Sequence, residues 1–277
     1  MRIQGGNILV SVEEGRKTEW RFLVQASQGN HAPLRVRFLG SGDNFGSGGR
    51  FQACIFVDAA DARFLLDCGA SSLIAMRRRG VSTEQVDTIL ISHLHGDHFG
   101  GLPFFVLDAQ LISRRTRPLV IAGPPGLEER TRALMEAMYP GMASVARNFP
   151  ITYVEMENER PVRVGSLAIT PFEVIHGSGA PSYALRVDCS GRILSYSGDT
   201  EWTDVLIRAA ADADLFICES YFYDKRMKNH INYRTLQEHR AELTCKRIIL
   251  THLGEDLLSR LPEVEMECAE DGTVLEL

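Results

Sequence analysis

The chain has 277 residues, 44% of them hydrophobic and 24% charged, a composition that excludes wholesale disorder and a fibrous repeat. Thirty basic and 36 acidic side chains leave a formal charge of −6, which argues against a dominant nucleic-acid-binding face. No apolar run reaches the roughly 20 residues that span a bilayer, so no membrane partner is expected, and residues 1–30 lack the apolar stretch of a secretory signal. Cys54, Cys68, Cys189, Cys218, Cys245 and Cys268 are scattered without a CxxC pair and read as reduced, mostly buried thiols of a cytoplasmic protein.

Residues 1–33 read as a leader: an added edge hairpin over Ile8–Val12 and Trp20–Val24, or in part a remnant of expression. Residues 34–277 read as one α/β domain. Leu34–Leu39, Ala53–Val57, Arg63–Asp67 and Thr88–Ser92 have the length and apolar content of strands. Ser71–Arg79, with a Ser start and a Gly80 stop, reads as a helix, as do Leu102–Ser113 and Gly126–Tyr139. In the second half, Ile151–Glu155, Leu167–Ile175, Ser182–Val187, Arg192–Tyr196, Leu215–Cys218 and Arg247–Leu250 read as strands. Thr203–Ala211, with Thr203 as N-cap, and Tyr233–Leu243 read as helices. Clustered strands with interspersed helices predict sheets packed face to face with helices outside.

The informative stretch is Ser92-His93-Leu94-His95-Gly96-Asp97-His98, directly after a buried strand. Imidazole and carboxylate are ligands that a cation such as zinc prefers. Four of them within six residues are too crowded for one tetrahedral ion. Two neighbouring ions relieve this, with His93 and His95 on one and Asp97 and His98 turned to the other. Gly96, Gly100 and Gly101 would give the loop the freedom to aim them. His176, Asp199 and His252 also follow strand ends. His31 and His239 belong to no such group and read as structural.

His-x-His-x-Asp-His, a later lone His, Gly-Asp-Thr at 198–200 and Thr251-His252 together resemble the metallo-β-lactamase superfamily over roughly Leu34 to Leu253. The resemblance implies a four-layer αββα sandwich of two mixed sheets with outer helices. It implies two divalent metal ions, zinc first and manganese or iron otherwise. One ion would take His93, His95 and His176, and the second Asp97, His98 and His252. Asp199 and a water or hydroxide would bridge them. Two such ions about 3.5–4 Å apart make a hydroxide nucleophile available near neutral pH. A retired, non-catalytic metal-binding sensor or interaction subunit is the competing reading.

Phe38-Leu39-Gly40-Ser41-Gly42, Leu65-Leu66-Asp67-Cys68-Gly69, Ser197-Gly198-Asp199-Thr200 and Cys218-Glu219-Ser220 resemble the ribonuclease Z-like group. His230 resembles that group's extra histidine, a proton donor or phosphate partner oriented by the Glu, here Glu219; otherwise it is an exposed loop histidine. With Asp97 these are the expected catalytic residues. The pattern departs from the group in three places. Asn232 stands where a Ser or Thr is usual. The arm that grips transfer RNA has no counterpart between His176 and Asp199. The loop Gly42–Arg50 differs, and is either an anion-binding nest or a plain tight connection. Lys225, Arg226 and Lys228 would attract an anion or belong to a solvated loop, and Arg77–Arg79 would serve the helix dipole.

The expected function is a zinc-dependent dinuclear hydrolase acting on a small substrate, phosphodiesters including cyclic nucleotides before esters, lactones, thioesters and isothiocyanates. A transfer-RNA 3′-processing endonuclease is the alternative. The expected partners are a small-molecule substrate and a second copy in a homodimer, with structured RNA not expected.

Overall fold

Short apolar runs, each closed by a turn or a glycine, build the chain into sheets. The structure, a computed structural model, describes the backbone of Ile3–Gln4 (β1), Asn7–Glu14 (β2) and Lys17–Phe22 (β3) and all residues from 34 to 277. The chain forms two units, Met1–His31 and Ala32–Leu277. In the first, β1 pairs antiparallel with β2, and β2 with β3, Glu14 opposite Lys17. The part of the expected strand Trp20–Val24 beyond Phe22, and His31, lie outside the described residues.

The second unit holds two mixed seven-stranded sheets. The first contains β4 (Arg35–Gly40), β5 (Cys54–Asp58), β6 (Arg63–Leu66), β7 (Thr88–Leu90), β8 (Leu119–Gly123) and β9 (Ile151–Glu155). The second contains β10 (Val162–Val164), β11 (Leu167–Val174), β12 (Ser182–Cys189), β13 (Arg192–Tyr196), β14 (Leu215–Glu219), β15 (Ile248–Thr251) and β16 (Glu267–Cys268), and β17 (Val274–Glu276) returns to pair with β4. Each sheet is antiparallel at one side and parallel at the other: β6 to β9 run parallel in the first, β13 to β16 in the second.

The facing sides of the sheets share one apolar core, in which Val36, Ile55 and Leu66 meet Ile169, Leu185 and Ile249. Each such fully buried side chain contributes about 1.5–3 kcal/mol. The outer face of the first sheet is covered by α1 (Ser72–Arg78), α3 (Leu102–Leu111) and α4 (Leu127–Met138), which add Met76, Phe105 and Leu127 to a second cluster. A third cluster places α5 (Val205–Ala209), α6 (Tyr233–Glu238) and α7 (Glu255–Leu258) on the other sheet. The fold is thus an αββα sandwich. All six cysteines are unpaired and five are buried; burial pushes the Cys54 thiol up to about 12, leaving it inert.

Local expectations were corrected in places. The helix expected from Thr203 starts at Val205, and Thr203 Oγ1 accepts only a long 3.5 Å bond from Val205 N. The helix expected over Tyr233–Leu243 stops at Glu238 and continues as a 3-10 turn over Arg240–Glu242. β8, β10, β16 and β17 were not foreseen; the last three span only two or three residues.

Candidate metal centre

The strand ends that carry the polar residues all open on one edge of the sandwich. β7 runs into the loop Ile91–His95 and the one-turn α2 (Gly96–Phe99), whose first turn holds Asp97 and last turn His98. His176 follows β11, Asp199 follows β13, Glu219 ends β14 and His252 follows β15. The scaffold therefore converges on a point from both sheets.

Glycines serve this convergence through space rather than freedom. Gly100 and Gly101 have ordinary negative φ, −64° and −81°. A Cβ on Gly101 would sit 2.1 Å from the Gly69 carbonyl oxygen, and one on Gly100 2.3 Å from that of Gly96. Gly96 has neither a positive φ nor a close neighbour, so the freedom expected of it is not used there. Gly198, at φ 57°, turns β13 toward Asp199 beneath Ser92.

Asp199 Oδ2 is the hub. It lies 3.8 Å from His93 Nε2, 3.3 Å from His98 Nε2, 4.0 Å from His176 Nε2 and 3.2 Å from His252 Nε2. Asp97 Oδ2 lies 3.3 Å from His98 Nε2 and 3.9 Å from His252 Nε2. His176 Nε2 and His95 Nδ1 are 2.9 Å apart. Ligand atoms thus gather as His93, His95 and His176 on one side and Asp97, His98, Asp199 and His252 on the other. His230 also comes within reach of His176 and Asp199.

The outer ring nitrogens are held so that the inner ones face the centre. His98 Nδ1 donates to Asp67 Oδ2 at 2.7 Å, and His176 Nδ1 donates to the Asn229 carbonyl at 2.8 Å. Ser92 Oγ donates to Asp67 Oδ2, which leaves it to accept from His93 Nδ1 at 3.0 Å. Asp67 also accepts from Ser92 N and from the Tyr196 hydroxyl. It is fully buried in a left-handed conformation, φ 59°, and the same holds at His252, φ 59°. Strained residues of this kind cluster at functional sites. Asp67 stood in the sequence only as part of a motif; a lone Asp after a strand looks like a turn residue.

Burial, with the repulsion of His98, lowers His93 well below its usual value, and burial lowers His252 and His176 too. Burial also opposes a charge on His98, but the Asp199, Asp97 and Asp67 carboxylates outweigh it and raise that imidazole. Against the cost of burial, the histidines hold Asp199 and Asp97 below the normal carboxylate range. His93, His176 and His252, held neutral around ionised carboxylates, are a donor set for divalent cations, and a bound cation would take the place of the His98 proton. His93 Nε2, His98 Nε2 and Asp199 Oδ1 are buried without hydrogen-bond partners among the described residues. Such atoms are costly unless something they coordinate satisfies them, so the residues fit a pair of metal ions.

Glu219 sits beside the cluster, fully buried, and accepts from Thr200 N at 2.6 Å and from His230 Nδ1 at 3.1 Å. Burial raises its carboxyl to about 7. Burial works to lower His230, yet the Glu219 charge and hydrogen bond prevail and raise it to about 9. Tyr221 stacks on the His230 ring, centroids 4.8 Å apart. Asn232 Oδ1 accepts from Thr235 N and caps α6, so this departure keeps the job that a Ser or Thr would do. A cavity of about 380 Å³ opens over the cluster, with Asn44, Phe45, Met227 and His230 at its mouth.

The loop at 42–50 is held as a tight connection over much of its length. Asp43 Oδ1 accepts from Ser47 N, Gly46 O from Gly49 N and Phe51 O from Gly42 N, and Gly48 N donates to Glu255 Oε2, so the amides of Gly42, Ser47, Gly48 and Gly49 are already engaged. Arg226 lies 3.9 Å from Glu238 and Lys225 rests over the Phe222 ring. Arg77 pairs with Asp108, Arg78 lies over Phe51 and Arg79 Nη2 donates to the Asp271 carbonyl, contacts more specific than the expected dipole role.

The chain is 29% identical over 280 residues to Ribonuclease Z of Methanothermobacter thermautotrophicus, covering 80% of this chain and 87% of that protein. The metallo-beta-lactamase fold protein YhfI from Bacillus subtilis superposes with a TM-score of 0.71 at 23% identity, covering 88% of this chain and all of that one. The short form of human tRNase Z gives 0.70 at 24% identity, covering 87% and 98%. No helix among the described residues is long and apolar enough to cross a membrane. The family described as Anti-Pycsar protein Apyc1 matches residues 34–272. The chain belongs to that family, as a metal-dependent hydrolase of the ribonuclease Z-like group in the metallo-β-lactamase superfamily.

Proposed function

We propose that this chain is a dinuclear, zinc-loaded phosphodiesterase of the cytoplasm acting on small phosphodiesters, cyclic nucleotides among them. The observation that carries the reading is Asp199 Oδ2, within 4.0 Å of four histidines drawn from both sheets, with the Glu219–His230 pair alongside. His93, His95 and His176 would hold one ion, Asp97, His98 and His252 the other, and Asp199 both. Bound there, two divalent cations supply a hydroxide nucleophile near neutral pH and neutralise charge that develops on the phosphoryl oxygens.

The chain's own residues do the rest. Asp67, Ser92 and the Asn229 carbonyl fix the tautomers of the ligand histidines. Glu219 holds His230 protonated, and His230 delivers that proton to the leaving oxygen. Phe45, 80% exposed at the mouth, offers a ring face to a planar group on the substrate. Residues 34–277 act as the catalytic domain, and residues 1–33 as an appended leader.

A second reading takes the relatives named ribonuclease Z at their word and makes the substrate a precursor transfer RNA. Against it, β12 and β13 are joined by only Ser190 and Gly191, both at positive φ, so no arm for gripping RNA rises there. The experiment that tests the main reading compares His230→Ala with wild type on an alkyl phosphodiester and its nitrophenyl analogue. An alkoxide needs the proton and a nitrophenolate does not, so the loss is confined to the alkyl substrate. Equal losses on both return His230 to a loop histidine. Specific 3′ cleavage of a precursor transfer RNA at low enzyme concentration promotes the second reading.

A further inference from the structure

His176 and His230 depend on one exposed turn. Asp224 to Asn229 are all exposed, and Met227 and His230 pair across the tip as an isolated antiparallel bridge. Asn229, at φ 73°, occupies the left-handed region that asparagine adopts more readily than most side chains. Its carbonyl accepts from His176 Nδ1 at 2.8 Å, and the next residue is His230. A solvent-exposed turn has little packing to hold it, yet this one aims both a ligand histidine and the proton donor.

Glu201 is what ties the turn down. Its Oε1 accepts from Asn229 N at 3.0 Å. Glu201 is itself set in place by its neighbours: its own amide donates to the Ile175 carbonyl, at 3.0 Å, and Ile175 N donates to Thr200 Oγ1 at 3.1 Å. With the His176–Asn229 bond, these four hydrogen bonds close a ring through residues 175–176, 199–201 and 229. His176 and Asp199 lie within two of those segments, and His230 directly follows the third. The Glu201 carboxylate is the link that one substitution can cut without touching a ligand.

We propose that Glu201 is a positioning residue that locks the Met227–His230 turn, and through Asn229 fixes both the ring of His176 and the aim of His230. This rests on the two-ion reading of the centre with His230 as proton donor. The hydrogen bond to Asn229 N is the working element, so an amide oxygen in place of the carboxylate keeps the function. His98, in the other ligand group, is held by Asp67 instead. Loss of Glu201 therefore weakens the ion held by His93, His95 and His176 and spares its neighbour.

The test uses the full chain with Glu201→Leu and Glu201→Gln. Amide hydrogen exchange of the chelated protein should find Asn229 protected in the wild type and in Glu201→Gln, and exchanging about tenfold faster in Glu201→Leu. In competition with a chelator, Glu201→Leu should bind one zinc ion about tenfold more weakly and the other as the wild type does. Its turnover of an alkyl phosphodiester relative to the nitrophenyl analogue should fall about tenfold, and Glu201→Gln should restore the ratio. Glu201→Ala serves in its place if Glu201→Leu does not fold. Unchanged exchange at Asn229, equal weakening of both ions, or a Glu201→Gln variant that behaves as Glu201→Leu overturns the proposal. If His230→Ala costs nothing on the alkyl substrate, the proton-donor reading fails by itself, and the exchange and zinc measurements still decide whether Glu201 holds the turn.

Discussion

The two walls of the metal cavity are built differently. The inner wall is sealed: His93, Asp97, His98, Asp199 and His252 are all less than 5% exposed, and His93, His98 and His176 each have the outer ring nitrogen held by a second group. The outer wall is loop: Phe45 is 80% exposed and Met227 49%, and His230 retains a 19% exposed side chain. Reaction chemistry demands fixed geometry, and the sandwich supplies it; substrate selection resides in side chains that can adjust. Substitutions should therefore divide by wall. Inner changes remove metal and all turnover together, whereas outer changes alter which substrate is preferred.

The largest effect should come from Asp199→Ala. Elemental analysis should show both ions lost, and turnover should fall at least about 10³-fold on every substrate. Asp97→Ala should lose mainly one ion. Chelation should lower the thermal midpoint of the wild type, since an ion present at a thousand times its Kd contributes about 4 kcal/mol. A chain that keeps its midpoint and its activity after chelation would break the comparison at its root.

His230→Ala comes next and crosses the division. It should cost about 10²–10⁴-fold on an alkyl phosphodiester with metal content unchanged. Its raised pKa fixes the sign of the pH profile. The acid form persists through neutral pH, so the rate on the alkyl substrate falls as pH rises through about 9, and bound cations move that limb lower. The variant should lose the limb.

Asp67→Asn should weaken metal affinity about 10–100-fold through its hold on His98 and Ser92, read by competition with a chelator. Phe45→Ala should have the smallest effect, raising KM about fivefold for a substrate with an aromatic base and leaving kcat unchanged. A matched loss on a purely aliphatic diester would show that Phe45 shapes the loop and does not stack.

The two walls were also unequally legible in the sequence. His93 to His98 are contiguous, so their crowding alone suggested two ions. His176, Asp199 and His252 stand far apart; their places after strand ends marked them as candidates, and the resemblance assigned them to the two ions. Asp67 was hidden because burial and a positive φ leave no mark in composition. Phe45 and Glu201 were invisible for a related reason: exposure at a cavity mouth and a hydrogen bond between distant loops are properties of packing. The strands longer than four residues mostly showed in their apolar content. β10, β16 and β17 are too short for alternation to show, and β8 is a five-residue apolar run with no alternation to mark it as a strand.

Central to the account is phosphodiester hydrolysis by the metal-loaded chain. The most direct measurement is kcat/KM for the zinc-reconstituted protein across a cyclic nucleotide, bis-p-nitrophenyl phosphate, a carboxylic ester and a lactone, with the chelated protein in parallel. The account predicts that both phosphodiesters are hydrolysed with the highest kcat/KM and that chelation abolishes it. Turnover confined to the ester or the lactone, or phosphodiester turnover that survives chelation, would contradict it.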